Sequence, residues 1–151
     1  MRILGLDIGT RRTGVAISDP EELMAVPLLM IEHSDENATL ESIIGLIDEH
    51  GIGCIVVGMP HSLDGSLNKQ AIGVEDFTSQ LSQRTRVPIE TWDERLSTVA
   101  AHKMMSNAGT KKKKRKEQVD ALAATLILQG YLDRQQAKNA SHENNDSVLY
   151  R

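Results

Sequence analysis

Cysteine is nearly absent from this chain: Cys54 stands alone among 151 residues. A single cysteine excludes an internal disulfide framework and a cysteine-built zinc centre, and it fits a reducing, cytoplasmic setting. Because it lies within the apolar run CIVVG, a reactive thiol is not expected. Aromatics are scarce as well, with one Trp, one Phe and two Tyr. That scarcity argues against the stacking platform which single-strand binders lay under successive bases. No apolar run approaches the roughly 20 residues of a membrane span, so a membrane is not an expected partner. MRILGL opens directly as a strand, without the longer apolar segment and cleavage site of a secretory signal. Positive charge is also in deficit, with a formal net charge of -4, which taken alone disfavours a polyanionic partner.

What is present is unevenly spread. Residues 111 to 116 read KKKKRK, while acids gather in the helical segments and towards the C-terminus. Such a run is either a solvated loop or a polyanion-binding patch, and its neighbours must decide. The length suits one domain with a real core. We expect that domain over residues 1–134, followed by a disordered tail at 135–151, where QQAKNASHENNDSVLYR lacks apolar periodicity.

Residues 2–9 run apolar to Gly9, and TGVAIS resumes strand character after TRR, which predicts an opening β-hairpin. AVPLLMIE at 25–32 predicts a third strand, at a sheet edge because of Pro27. Leu40, Ile43, Ile44 and Ile47 fall at helical spacing and stop at His50-Gly51. Residues 55–57 read as a short strand covered on both faces. A helix is expected over 67–81, a strand at VPIETW, a helix at LSTVAAHKMMSNAG and a last helix over 116–134. This order predicts an α/β fold in which an antiparallel meander joins parallel strands. Binding sites in such sheets lie at the carboxyl ends of strands.

Three places carry acids that a fold does not need. Asp7 shares a strand face with Ile3 and Gly5 and sits at the strand's carboxyl end, where it is a turn residue or a site residue. DER at 93–95 follows the strand VPIETW; the adjacent Asp93 and Glu94 point to different sides, so only one can share a cavity with Asp7. Either can also serve the start of the next helix. Asp120 leads the stripe Ala123, Ala124, Ile127, Leu128 and Tyr131, which turns it towards the sheet. A carboxylate buried there requires a cation, a metal or strong donors. Inward carboxylates without a His or Cys cluster make a hard-oxygen site, suited to Mg²⁺ or Mn²⁺ and not to zinc. Two such ions about 4 Å apart can activate water and stabilise a leaving oxygen. The lysine run just before Asp120 then acquires a use, as the grip on a phosphate backbone.

DIGTRRTGVAISD, VVGMPHSLDGS, TWDERLST and KKKKRKEQVDALAATLILQGYL, in this order over residues 1–133, closely resemble the YqgF/RuvX family. These are Holliday-junction-resolvase-like proteins of the ribonuclease H superfamily. The resemblance implies a ribonuclease H-like fold, a five-stranded mixed sheet with helices on both faces. It implies a cytoplasmic, metal-dependent nuclease that processes the 5′ end of pre-16S rRNA in ribosome biogenesis, in contact with ribosomal particles. The alternatives are a resolvase-like nuclease of branched DNA and an assembly factor that binds nucleic acid without cutting it.

On the resemblance, the catalytic acids fall on Asp7, Asp120 and one residue of DER, with Glu94 favoured and Asp93 the alternative. Asp7, Glu94 and Asp120 become the expected ligands of two Mg²⁺ or Mn²⁺ ions. Arg11, Arg12, Ser62, Arg95, Lys111, Lys112, Lys113, Lys114, Arg115 and Lys116 become the expected nucleic-acid contacts. His61 reads as a passive loop residue. A monomer or weak homodimer is expected, and junction cleavage would require two symmetric sites.

Overall fold

A computed structural model describes residues 1–60, 69–93 and 112–149, and the side chains at 112–120 and 142–149 lie outside that description. The elements are β1 (Arg2–Ile8), β2 (Arg12–Ser18), β3 (Ala25–Glu32), α1 (Glu36–His50), β4 (Ile52–Met59), α2 (Lys69–Arg84), β5 (Ile89–Asp93) and α3 (Lys112–Leu149). Five strands form one sheet in the order β3-β2-β1-β4-β5. β1 pairs antiparallel with β2, and β2 with β3, whereas β1 with β4 and β4 with β5 are parallel. The expected mixed sheet is present, with the Pro27 strand at its edge. Its register slips between Val15 and Ala16, the latter opposite Pro27, where a residue without an N–H interrupts the ladder.

Helices cover both faces. α1 begins where the Asp35 carboxylate accepts the Ala38 N–H at 2.7 Å, a side-chain cap for an otherwise orphaned donor. It ends at Gly51, whose φ of 61° is the left-handed conformation glycine tolerates best. Leu40, Ile43 and Ile47 of α1, with Val74, Phe77 and Leu81 of α2, pack on Leu4, Leu6, Ile8, Val15, Ile17, Ile55 and Val57. On the opposite face Ala124, Ile127, Leu128 and Leu132 of α3 pack on Ile3, Ala16, Cys54, Val56 and Trp92. The Gln129 side chain ties α3 to the start of β3, accepting the Ala25 N–H at 2.8 Å and donating to the Leu23 carbonyl at 3.1 Å.

Several boundaries differ from expectation. β4 extends on both sides of 55–57: Gly58 stays in the ladder opposite Trp92, and at Gly53 the strand continues through a register shift between Ile52 and Cys54. α3 begins at Lys112 and runs past Arg134 to Leu149. Gln, Ala and Lys propagate a helix without an apolar stripe, so amphipathicity does not mark its far end. The helix expected at 96–109 and the position of Leu67 lie outside the described residues. Among the described residues no helix is long and apolar enough to cross a membrane.

Candidate active site

β1 lies in the middle of the sheet, with β2 on one side and β4 on the other. Alternation sends Leu4, Leu6 and Ile8 to the α1–α2 core and Ile3, Gly5 and Asp7 to the α3 face. Asp7 is half-buried at the carboxyl end. Its registered neighbour on β2 is Gly14. On β4 the pairing of Leu6 with Val57, carried one residue further, sets Gly58 beside it. Neither registered neighbour, Gly14 on β2 or Gly58 on β4, carries a side chain beside the Asp7 carboxylate.

α3 crosses β1 at close range. A Cβ at Gly5 would lie 2.8 Å from the Leu128 Cβ and 3.1 Å from the Ala124 carbonyl oxygen. Only glycine permits that approach. Asp120 lies in α3 one turn before Ala124, about 6 Å along the helix axis; Asp7 lies two residues beyond Gly5, about 6.6 Å along the strand. The Asp120 side chain is among those outside the description. The rest of the stripe that begins with it does face the sheet, with Ala124, Ile127 and Leu128 buried and Ala123 and Tyr131 half-buried.

Asp93 closes β5, half-buried and paired with Met59, a residue of the α1–α2 core. Trp92, one residue earlier, packs in the α3 core, against Tyr131 at 6.4 Å and nearly perpendicular. Strand alternation therefore puts Asp93 on the face opposite Asp7. Glu94, Arg95, Ser62, His61 and Lys111 lie outside the described residues. Lys112, Lys113, Lys114, Arg115 and Lys116 form the beginning of α3, with their side chains not described. Arg11 is exposed in the β1–β2 turn, and the half-buried Arg12 starts β2 opposite Glu32.

The turn itself is tightly built. The Gly9 N–H donates to the Arg12 carbonyl at 2.9 Å, and a Cβ at Gly9 would stand 2.7 Å from that oxygen. The His33 N–H donates to the Arg11 carbonyl at 2.9 Å. The His33 ring meets the buried Thr13 hydroxyl at 2.6 Å and lies parallel to Phe77. Sequence reasoning passed over His33 and gave Phe77 no role beyond the apolar spacing of the helix expected over 67–81, since neither residue carries a motif that marks it.

Cys54 is buried, and desolvation followed by the charge of Glu90 pushes its thiol above the ordinary value. Tyr131 is raised as well, first by burial and then by its hydrogen bond with Glu90. A thiol and a phenol held in their protonated forms are packing groups, not nucleophiles. Among the described residues no three potential metal ligands cluster, and two of the three expected acids have side chains outside that set. Asp7 supplies a hard oxygen donor with glycine on either side, which fits Mg²⁺ or Mn²⁺ and offers nothing to a soft metal.

Residues 1–134 match a family model described as RuvX: Holliday junction resolvase. A protein of Halalkalibacterium halodurans named "Putative pre-16S rRNA nuclease" is 44% identical over 140 residues, 91% of this chain and 100% of that protein. Two solved structures share the fold. RuvC of T. thermophilus in complex with Holliday junction substrate aligns with a TM-score of 0.60 at 16% identity, over 90% of this chain and 96% of that one. Ydc2, the yeast mitochondrial Holliday junction resolvase, aligns with a TM-score of 0.62 at 10% identity, over 97% and 83%. The ribonuclease H-like architecture expected from the sequence is the one found.

Proposed function

The chain belongs to the RuvX family, and from that premise we propose that it is a divalent-metal-dependent nuclease hydrolysing phosphodiester bonds at the 5′ end of pre-16S rRNA. The observation that carries the reading is Asp7, half-buried between glycine-bearing strands beneath the helix that contains Asp120. A core position occupied by an acid, with its neighbours cut back to glycine, is costly for a fold and useful for a cation. Trp92 faces α3 and Asp93 faces away from Asp7, which weakens Asp93 as the middle acid and leaves Glu94, the residue the resemblance favours.

Asp7, Glu94 and Asp120 would hold Mg²⁺ or Mn²⁺, two ions on the sequence reading. The chemistry such ions supply is activation of water and stabilisation of the leaving oxygen. The protein's own part is to keep the acids rigid and the phosphate in register. Gly5 and Gly9 enforce close packing around Asp7, and Arg11 at the hairpin tip offers a phosphate contact beside it. Residues 112–116 of the KKKKRK run open α3 without an acid in its first turn. There they add to the positive end of the helix dipole, which favours a polyanion.

A second reading, a nuclease of branched DNA, draws on the family description and on the two resolvase structures of the same fold. A third is an assembly factor that binds without cutting, which would leave the acid at Asp7 unexplained and repelling phosphate. The test is a cleavage panel with Mg²⁺ and Mn²⁺ across precursor 16S RNA, single-stranded RNA and a four-way DNA junction, run beside Asp7→Asn. Changing residues that merely support a metal ligand costs ~10–100-fold. Loss of the ligand itself should therefore lower cleavage at least about a hundredfold while binding persists. Unchanged cleavage by Asp7→Asn would sink the assignment, and junction-only cleavage would transfer it to DNA.

A further inference from the structure

Beside the same strand end, but on the α1–α2 side of the sheet, is a cavity of about 340 Å³ between the hairpin turn, the start of α1 and the first turns of α2. Ligand sites occupy roughly 300–1,000 Å³, so the space suits one small planar unit. Its apolar side is formed by Val74, Phe77 and His33. The His33 and Phe77 rings are parallel to within 3°, with centroids 6.5 Å apart. The contacts of His33 with Thr13 and Arg11 fix that orientation before any ligand arrives. Around the rim, Thr10, Gln70 and Lys69 bring a hydroxyl, an amide and one ammonium group.

Gly73 borders the same opening, in the interior of α2. Among the described residues a Cβ there would meet no heavy atom within 4 Å, so their packing does not demand glycine. Glycine weakens a helix interior relative to alanine, and here it keeps the entrance wide. Asp35 and Glu36 also line the cavity, which disfavours an anion seated deep inside. An aromatic wall, a hydrogen-bonding rim and a single cation at the edge match a nucleobase whose phosphate stays outside.

Gly9 and Thr10 follow Asp7 by two and three residues, so the cavity lies within about 10 Å of strand from the acid. A nucleic-acid strand advances ~3.4 Å per stacked nucleotide, so that distance is a few nucleotides at most. Building on the nuclease reading, we infer that this cavity receives one unstacked base of the substrate strand next to the phosphodiester cleaved at Asp7. A pocket for one base is compatible with the chain's few aromatics, which exclude only a platform for many.

The test walks a single abasic site along a precursor 16S RNA oligonucleotide whose cut position has been mapped. Binding to the full chain is measured with Ca²⁺ in place of Mg²⁺ to keep the strand intact. In the wild-type protein an abasic site at one position near the cut should lower affinity about tenfold. Gly73→Leu, which fills the entrance from a helix position with open space, should bind intact and abasic strands alike; Gly73→Ala should keep the penalty. A urea transition for each variant confirms that it is folded. No position-dependent penalty, or a penalty that survives in Gly73→Leu, overturns the base pocket. Binding of free adenosine or uridine monophosphate that Gly73→Leu abolishes, without an abasic penalty, gives the cavity to a free nucleotide and overturns the strand assignment. A strand still cut but insensitive to abasic sites defeats this inference alone, whereas a strand neither bound nor cut defeats the nuclease reading beneath it.

Discussion

Under α1 and α2 the central strand offers Leu4, Leu6 and Ile8, whereas under α3 the same strand offers Ile3, Gly5 and Asp7. The first face is filled by bulk, with aliphatic side chains from two helices interlocking over the sheet. The second is built by closeness, since glycine on β1 lets the backbone of α3 touch the strand. Burial of area stabilises the first; the second gives up side-chain volume and gains a helix close to a carboxylate. The tightest aliphatic packing and the Asp7 carboxylate thus lie on opposite sides of one sheet.

The comparison breaks most visibly through the bulky face. Leu40 is fully buried there, and Leu40→Ala should cost about 2–5 kcal/mol in a urea titration. Cleavage per folded molecule should stay near wild type, because Asp7 is on the far side. Gly5→Val attacks the other face. Its Cβ would press on Leu128 and the Ala124 carbonyl, an overpacking worth about 1–3 kcal/mol. Here cleavage per folded molecule should fall steeply, as α3 is pushed from Asp7. A loss of activity in Leu40→Ala equal to that in Gly5→Val would erase the distinction.

The smallest effect lies at the edge, remote from both cores. The Asp19 carboxylate accepts the N–H groups of Leu23 at 2.7 Å and Met24 at 2.9 Å. These bonds, that of Met24 foremost, hold its pKa below the ordinary carboxylate value. A carboxyl group depressed in the folded state adds stability above its unfolded value, and that stability is lost as pH falls through the folded one. Asp19→Ala should therefore differ slightly from wild type in its urea midpoint near neutrality. That small difference should vanish as pH falls below about 4.

Much of this arrangement was legible beforehand. The apolar run ending at Gly9, the Pro27 edge strand, the helix stopped at Gly51 and the stripe from Ala123 to Tyr131 mark the opening meander and its covering helices, while the five-stranded mixed sheet was what the resemblance implied. The period-two pattern also assigned Asp7 to the face of Gly5. It left Asp93 and Glu94 open, because neighbouring residues on a strand face opposite ways and nothing in VPIETW says which core takes Trp92. Pairing of Met59 with Asp93, and packing of Trp92 in the α3 cluster, place Asp93 on the α1–α2 side. The continuation of α3 beyond Arg134 had no apolar stripe to announce it. The His33–Phe77 cavity was invisible because it joins a loop, an edge-strand terminus and a helix that are distant in sequence.

The central claim, that Asp7, Glu94 and Asp120 form one site, is tested most directly by comparing Glu94→Gln with Asp93→Asn in the same Mn²⁺-dependent cleavage assay. Glu94→Gln should lose at least about a hundredfold in rate, as expected for a metal ligand, and Asp93→Asn should stay within about tenfold of wild type. The reverse order, with Asp93 indispensable and Glu94 dispensable, would contradict the account.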